Sequence, residues 1–250
     1  MTTSGPNPPQ EVPVVVLAIG GALASEDVEA DVCRVLPQNP GDILVRNCRR
    51  LCGAAPFAIA MIGSRGWHWS NWPGGVAGLA MRGTITHGDA RRIRHEIRET
   101  LRPDDPQSPR RSLLLVGKSA GGISLWNTLR LHYAEIAGWV VRLALVLIDP
   151  HGAVRGDDEW GSYAAGQDLV WPANFSTDQS RFRVYNIFQQ RFPGLGGSLT
   201  GASFPRTYTN VQLTDTRSID EGGLYHMNIM QHGKVHALIY SAYVFARKGV

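Results

Sequence analysis

The chain has 250 residues, 43% of them hydrophobic and 18% charged, which suits one large globular α/β domain with a substantial buried core. Its formal net charge of +4 is mild for this length and gives no general case for nucleic-acid binding. No apolar run approaches the length of a membrane span, so a soluble, cytoplasmic protein is expected.

Residues 1–12 are rich in proline and polar groups, without a basic stretch leading into an apolar core. They read as a disordered lead-in rather than a signal peptide, with a single domain over 13–250. The run VVVLAI at Val14–Ile19 is continuously apolar and β-branched, the pattern of a strand buried on both faces of a parallel sheet. Helices are expected near 25–36 and 42–52, and a second strand at 57–62 (FAIAMI). Cys33, Cys48 and Cys52 lie close together with no histidine near enough in sequence for a zinc site, so they read as free thiols. Segment 63–86 is irregular and glycine-rich. It brings Trp67, Trp69 and Trp72 together, either as a satellite core or as the wall or lid of a hydrophobic pocket.

A helix is expected over 88–101, with Ala90, Ile93, Ile97 and Leu101 on its inner stripe. Its arginines form a polar face, and the bland reading of that face is solvation rather than an acidic partner. A third strand at 113–116 runs into Gly117-Lys118-Ser119-Ala120-Gly121, and a helix over 120–137 follows at once. The strand at Leu143–Ile148 stops at Asp149-Pro150, and a long polar loop spans 151–180. A fifth strand is expected at 183–188, a sixth at Tyr208–Leu213, and a last helix over 233–247. On that helix Val235, Leu238, Ile239, Ala242 and Ala246 should face inward. Alternation of strands and helices predicts a mostly parallel, doubly wound sheet with helices on both faces.

The stretch SLLLVGKSAGG carries the chemistry. Glycines two residues either side of a serine, between a strand and a helix, form a nucleophile elbow: the turn leaves no room for flanking side chains and presents the hydroxyl at the carboxyl edge of the sheet. A serine hydroxyl is a weak nucleophile at neutral pH and needs a base, held by a charged group. The chain offers Ser119, then Asp149 at a strand end, then His226 in the loop after the last strand. Asp178, Asp215 and Asp220 are reserve acids, while His151, His232 and His236 are less well placed as bases. The late histidines lack zinc-site spacing, so no metal is expected.

On three stretches, LLLVGKSAGG, LALVLIDP and LYHMNI, the sequence resembles the α/β-hydrolases of the serine esterase and lipase kind. The resemblance implies an α/β-hydrolase fold, a Ser119–His226–Asp149 triad and hydrolysis of a small-molecule acyl ester or thioester without a cofactor. It also implies an oxyanion hole from the backbone N–H of Ala120 and that of Gly21 or Ala22. Two departures stand out. The family's usual acid follows the strand after next from the elbow, whereas Asp149 ends the very next strand; the fifth strand ends in Asn186-Ile187-Phe188-Gln189, without a carboxylate, which leaves Asp149 as the better candidate. Lys118 replaces the more usual histidine, tyrosine or aspartate, and either holds an anionic substrate or points to solvent. An acyltransferase or amidase would use the same parts, and a non-catalytic binding protein would keep only the scaffold.

Overall fold

A computed structural model describes residues 11–20, 25–37, 39, 42–45, 87–102, 110–150, 152–153, 162–163, 168–189, 197–201, 208–214 and 229–249. The apolar runs form the centre of a six-stranded sheet in the order β10-β8-β4-β3-β1-β2, every pair parallel. Its strands are β1 (Val14–Ile19), β2 (Ile43–Val45), β3 (Ser112–Lys118), β4 (Leu143–Ile148), β8 (Phe182–Gln189) and β10 (Tyr208–Leu213). β1, β3 and β4 are buried along their whole length, as their unbroken hydrophobicity requires.

Helices cover both faces. α2 (His87–Leu101) and α3 (Ala120–Trp139) lie on one face, where Ile93, Ile97, Trp126 and Leu129 pack on Leu113, Leu115 and Leu145. α1 (Ser25–Val35) and α4 (Gly233–Lys248) lie on the other, where Val28, Val235, Ile239 and Phe245 meet Leu114, Val116 and Val146. The inner stripes expected for α2 and α4 are buried, with Leu101 and Leu238 only partly so. This is the mostly parallel, doubly wound sheet with helices on both faces expected from the sequence.

The chain passes from β1 to β2 in one direction, then from β3 to β4 and β8 in the other. The strand order therefore reverses between β1 and β3. In open parallel sheets the crevice beyond the carboxyl ends at such a reversal is where ligands bind. The ends of β1 and β3, at Gly20 and Ser119, lie at this reversal and frame the candidate site.

Residues 43–45 pair in parallel with β1, Val15 opposite Ile43, rather than starting the helix expected over 42–52. Partnership on the sheet edge decides this short apolar run. The polar loop 151–180 contains three two-residue strands. β5 (Gly152–Ala153) pairs with β6 (Ser162–Tyr163), and β7 (Leu169–Val170) pairs with β9 (Leu199–Thr200). The strand expected at 57–62 lies outside the described residues, as do Cys48 and Cys52.

At the amino edge of the sheet, Asp42 accepts from the Val14 N–H at 2.8 Å and from the Tyr243 hydroxyl at 2.5 Å. Arg247 donates to Asp42 at 3.1 Å and to Glu11 at 3.0 Å, and the Val12 N–H donates to the Arg247 carbonyl. This knot ties the start of β1 to the end of α4. Among the described residues no helix is long and apolar enough to cross a membrane.

Candidate active site

Ser119 joins β3 to α3 with φ 56° and ψ −130°. That lies well away from the left-handed helical well near ψ +47°, toward backbone space that glycine alone visits freely. Its N–H continues the ladder to the Ile148 carbonyl at 2.9 Å, and its own carbonyl already accepts from the Ile123 N–H at 3.3 Å. The chain thus turns from strand to helix within one residue, and the strain concentrates there. Ser119 keeps 5% of its surface exposed.

The neighbouring glycines are dictated by contact distance. A β-carbon on Gly117 would sit 2.6 Å from the Gly122 Cα, and one on Gly121 would sit 2.4 Å from the Ile19 and Gly20 carbonyl oxygens. Real side chains essentially never come so close, and the obstructing atoms are backbone. Gly121 is therefore what lets the first turn of α3 rest on the end of β1. The first turn of a helix carries N–H groups with no acceptor inside the helix. Ala120 opens α3 and offers such a donor directly after the serine. Gly21 and Ala22, expected to supply the second donor, lie outside the described residues.

Asp149 occupies the corresponding position on the adjacent strand. Lys118 is level with Ile148 in the β3–β4 register, so Ser119 and Asp149 are the next residues on strands about 4.8 Å apart. Asp149 is fully buried, has φ 47°, and donates its N–H to the Ile187 carbonyl at 2.7 Å. Gln189 reaches both oxygens of its carboxylate. Gln189 donates its backbone N–H to Oδ1 at 3.2 Å and its side-chain amide to Oδ2 at 3.3 Å. Pro150, next in the chain, packs beside the elbow: a β-carbon on Gly122 would lie 3.1 Å from its Cβ.

Lys118 is 1% exposed, so it does not point to solvent. In the strand alternation it follows Leu114 and Val116, which pack on the α1–α4 face. Of the reserve acids, Asp178 precedes β8 at the opposite edge of the sheet, where it accepts from the Ser180 N–H and hydroxyl. Those hydrogen bonds hold its carboxyl below the ordinary carboxylate range. Asp215 and Asp220 lie outside the described residues. His232 caps α4, its Nδ1 accepting from the Lys234 N–H at 3.1 Å, and His236 lies inside α4. His226, Trp67, Trp69, Trp72 and His151 also lie outside the described residues.

Two features were not foreseen. Gln189 ends β8, the strand whose end would carry the acid in the usual family arrangement, and it faces Asp149 instead. An aromatic cluster of Trp126, Tyr133, Trp171, Phe175 and Phe182 packs beside α3, with Trp126 edge-on to Phe175 at 5.2 Å between ring centres. The density of aromatics in 171–182 was a signal for it. Among the described residues no group of three or more His, Cys, Asp or Glu side chains is arranged to hold a metal ion.

No protein-family model matches the sequence, and comparison with curated proteins finds no match. Among solved structures, lipase B of Aspergillus fumigatus aligns with a TM-score of 0.48 and 13% identity, covering 96% of this chain and 54% of its own. The chain thus spans about half the length of that lipase.

Proposed function

We propose that the protein is a serine hydrolase that cleaves a small carboxylic ester or thioester through an acyl-Ser119 intermediate. The observation that carries this reading is the strained backbone of Ser119 at the carboxyl end of β3, beside a buried carboxylate at the same level of the next strand. Backbone strain of this kind persists only where surrounding structure enforces it, and it gathers at functional sites.

In the proposed reaction His226 takes the Ser119 proton as Oγ attacks the acyl carbon. Asp149 orients the imidazole and stabilises its charged form. The carbonyl oxygen becomes an oxyanion, met by the Ala120 N–H and one from Gly21 or Ala22. Collapse breaks the bond to the alcohol or thiol, which leaves with the proton from His226. Water then attacks the acyl-enzyme with His226 again as base, releasing the acid and free Ser119. Lys118, buried and directly before Ser119 in the chain, is the residue that would favour a substrate with an anionic group. Transfer to an acceptor other than water would follow the same first half.

A fluorophosphonate probe tests the reading, because it phosphonylates only a serine activated in this way. Mass spectrometry should place the adduct on the peptide containing Ser119, and Ser119→Ala should abolish it. Folded protein left unlabelled, with no turnover of acyl esters, would instead mark a binding protein on this scaffold.

A further inference from the structure

We infer that Gln189 is a positioning residue, whose amide fixes the carboxylate of Asp149 in the orientation that serves the base. The inference rests on the reading of Asp149 as the acid of the triad.

Both oxygens of Asp149 are held by the same neighbour, one through its main chain and one through its side chain. The main-chain contact fixes where the carboxylate group sits. The side-chain contact adds control of its rotation, since a carboxylate has a soft, two-fold terminal torsion. Each carboxylate oxygen has two acceptor directions, so a bond from Gln189 to each oxygen does not exhaust the group. Gln189 is itself fully buried, and β8 holds it rigidly between β4 and β10. Only the amide nitrogen can face Oδ2 attractively, because turning the amide over would set oxygen against oxygen.

The choice of an amide also has an electrostatic reason. A glutamate here would bring a second carboxylate to about the same 3.3 Å separation, and two such groups do not both ionise readily. Glutamine donates a hydrogen bond without titrating, so it adds no second negative charge beside Asp149. This also accounts for the missing carboxylate at the end of β8. The residue there supports the acid on the adjacent strand.

The test is a double-mutant cycle on the full chain, with rates expressed per Ser119 able to take the fluorophosphonate, so that misfolded protein drops out. Gln189→Met keeps the volume and removes the donor. It should lower kcat about tenfold to a hundredfold with KM unchanged, the scale of a slightly misplaced catalytic group. In an Asp149→Asn background the same change should have no further effect, because Gln189 acts through Asp149. Gln189→Glu donates only while its carboxyl is protonated, so its activity should fall as pH rises through that titration, a limb the wild type lacks. A kcat within about twofold of wild type for Gln189→Met would overturn the inference, as would an equal loss in the Asp149→Asn background or a wild-type pH profile for Gln189→Glu. A wild-type protein that is neither labelled nor active would overturn the hydrolase reading as well, and this is seen before any Gln189 variant is made.

Discussion

Replacing Ser119 separates the strain at the elbow from the hydroxyl it presents. Ser119→Ala and Ser119→Gly both remove the nucleophile, and they differ only in whether a β-carbon remains at φ 56° and ψ −130°. Backbone held in such sparsely populated regions costs about 1–3 kcal/mol, and glycine relieves it. Against this, glycine loses about 0.5–1 kcal/mol relative to alanine through the entropy of the unfolded chain. The balance favours glycine by about 1 kcal/mol, with about 2 kcal/mol as an upper figure. For a chain of this size that raises Tm by about 2–8 °C over Ser119→Ala. Urea titrations and thermal melts of the two inactive variants measure the difference directly, since loss of the hydroxyl cancels between them. Alanine as stable as glycine, or more so, would refute the claim that the elbow stores strain.

Gly121→Ala should damage the same turn from the other side: its β-carbon would meet two carbonyl oxygens at 2.4 Å, so β1 and α3 must part by close to an ångström. Overpacking of this kind costs about 1–3 kcal/mol, and fluorophosphonate labelling of Ser119 should slow about a hundredfold; unchanged labelling would show the contact to be dispensable. Trp126→Ala empties a fully buried site and should lower the urea-derived stability by about 3–5 kcal/mol; a loss under about 1 kcal/mol would contradict its place in the core. Burial, followed by the hydrogen bond to Asp42, raises the Tyr243 phenol above its ordinary value of 10.0. The unfolded chain then loses this proton first, so the stabilisation is complete below that value and declines as pH rises through the folded-state pKa. Urea midpoints from about pH 8 to about pH 11.5 should show wild type and Tyr243→Phe converging at the alkaline end; a constant gap would contradict the assignment.

Much of the fold was legible because its signals are local. Val14–Ile19 and Leu143–Ile148 are unbroken apolar runs, and each matches its expected strand. The elbow was legible for a similar reason: two glycines, a serine, and a strand and helix on either side all lie within a short stretch. Ile43–Val45 was misread because three apolar residues carry no period of their own. Only the pairing of Val15 with Ile43 makes them a strand, and that partner lies far back in the chain. The two-residue strands within 151–180 fail for the same reason.

The link between Asp149 and Gln189 shows the limit most clearly. Forty residues separate them, and they meet only because Ile148 is level with Ile187 in the β4–β8 register. Sequence patterning showed that the end of β8 lacked a carboxylate, but not that its glutamine turns toward the neighbouring acid. Trp126, Trp171 and Phe175 likewise come from separate segments, and packing against Phe182 unites them.

The central claim is that Ser119 carries the acyl group during turnover. It is tested most directly by acid-quenching the protein within milliseconds of mixing with an activated acyl ester and measuring the mass of its peptides. The account predicts an acyl adduct on the Ser119 peptide that forms and decays at the rates of turnover and is absent from Ser119→Ala and His226→Ala. Turnover with no adduct on that peptide, or an adduct that persists in Ser119→Ala, would contradict it.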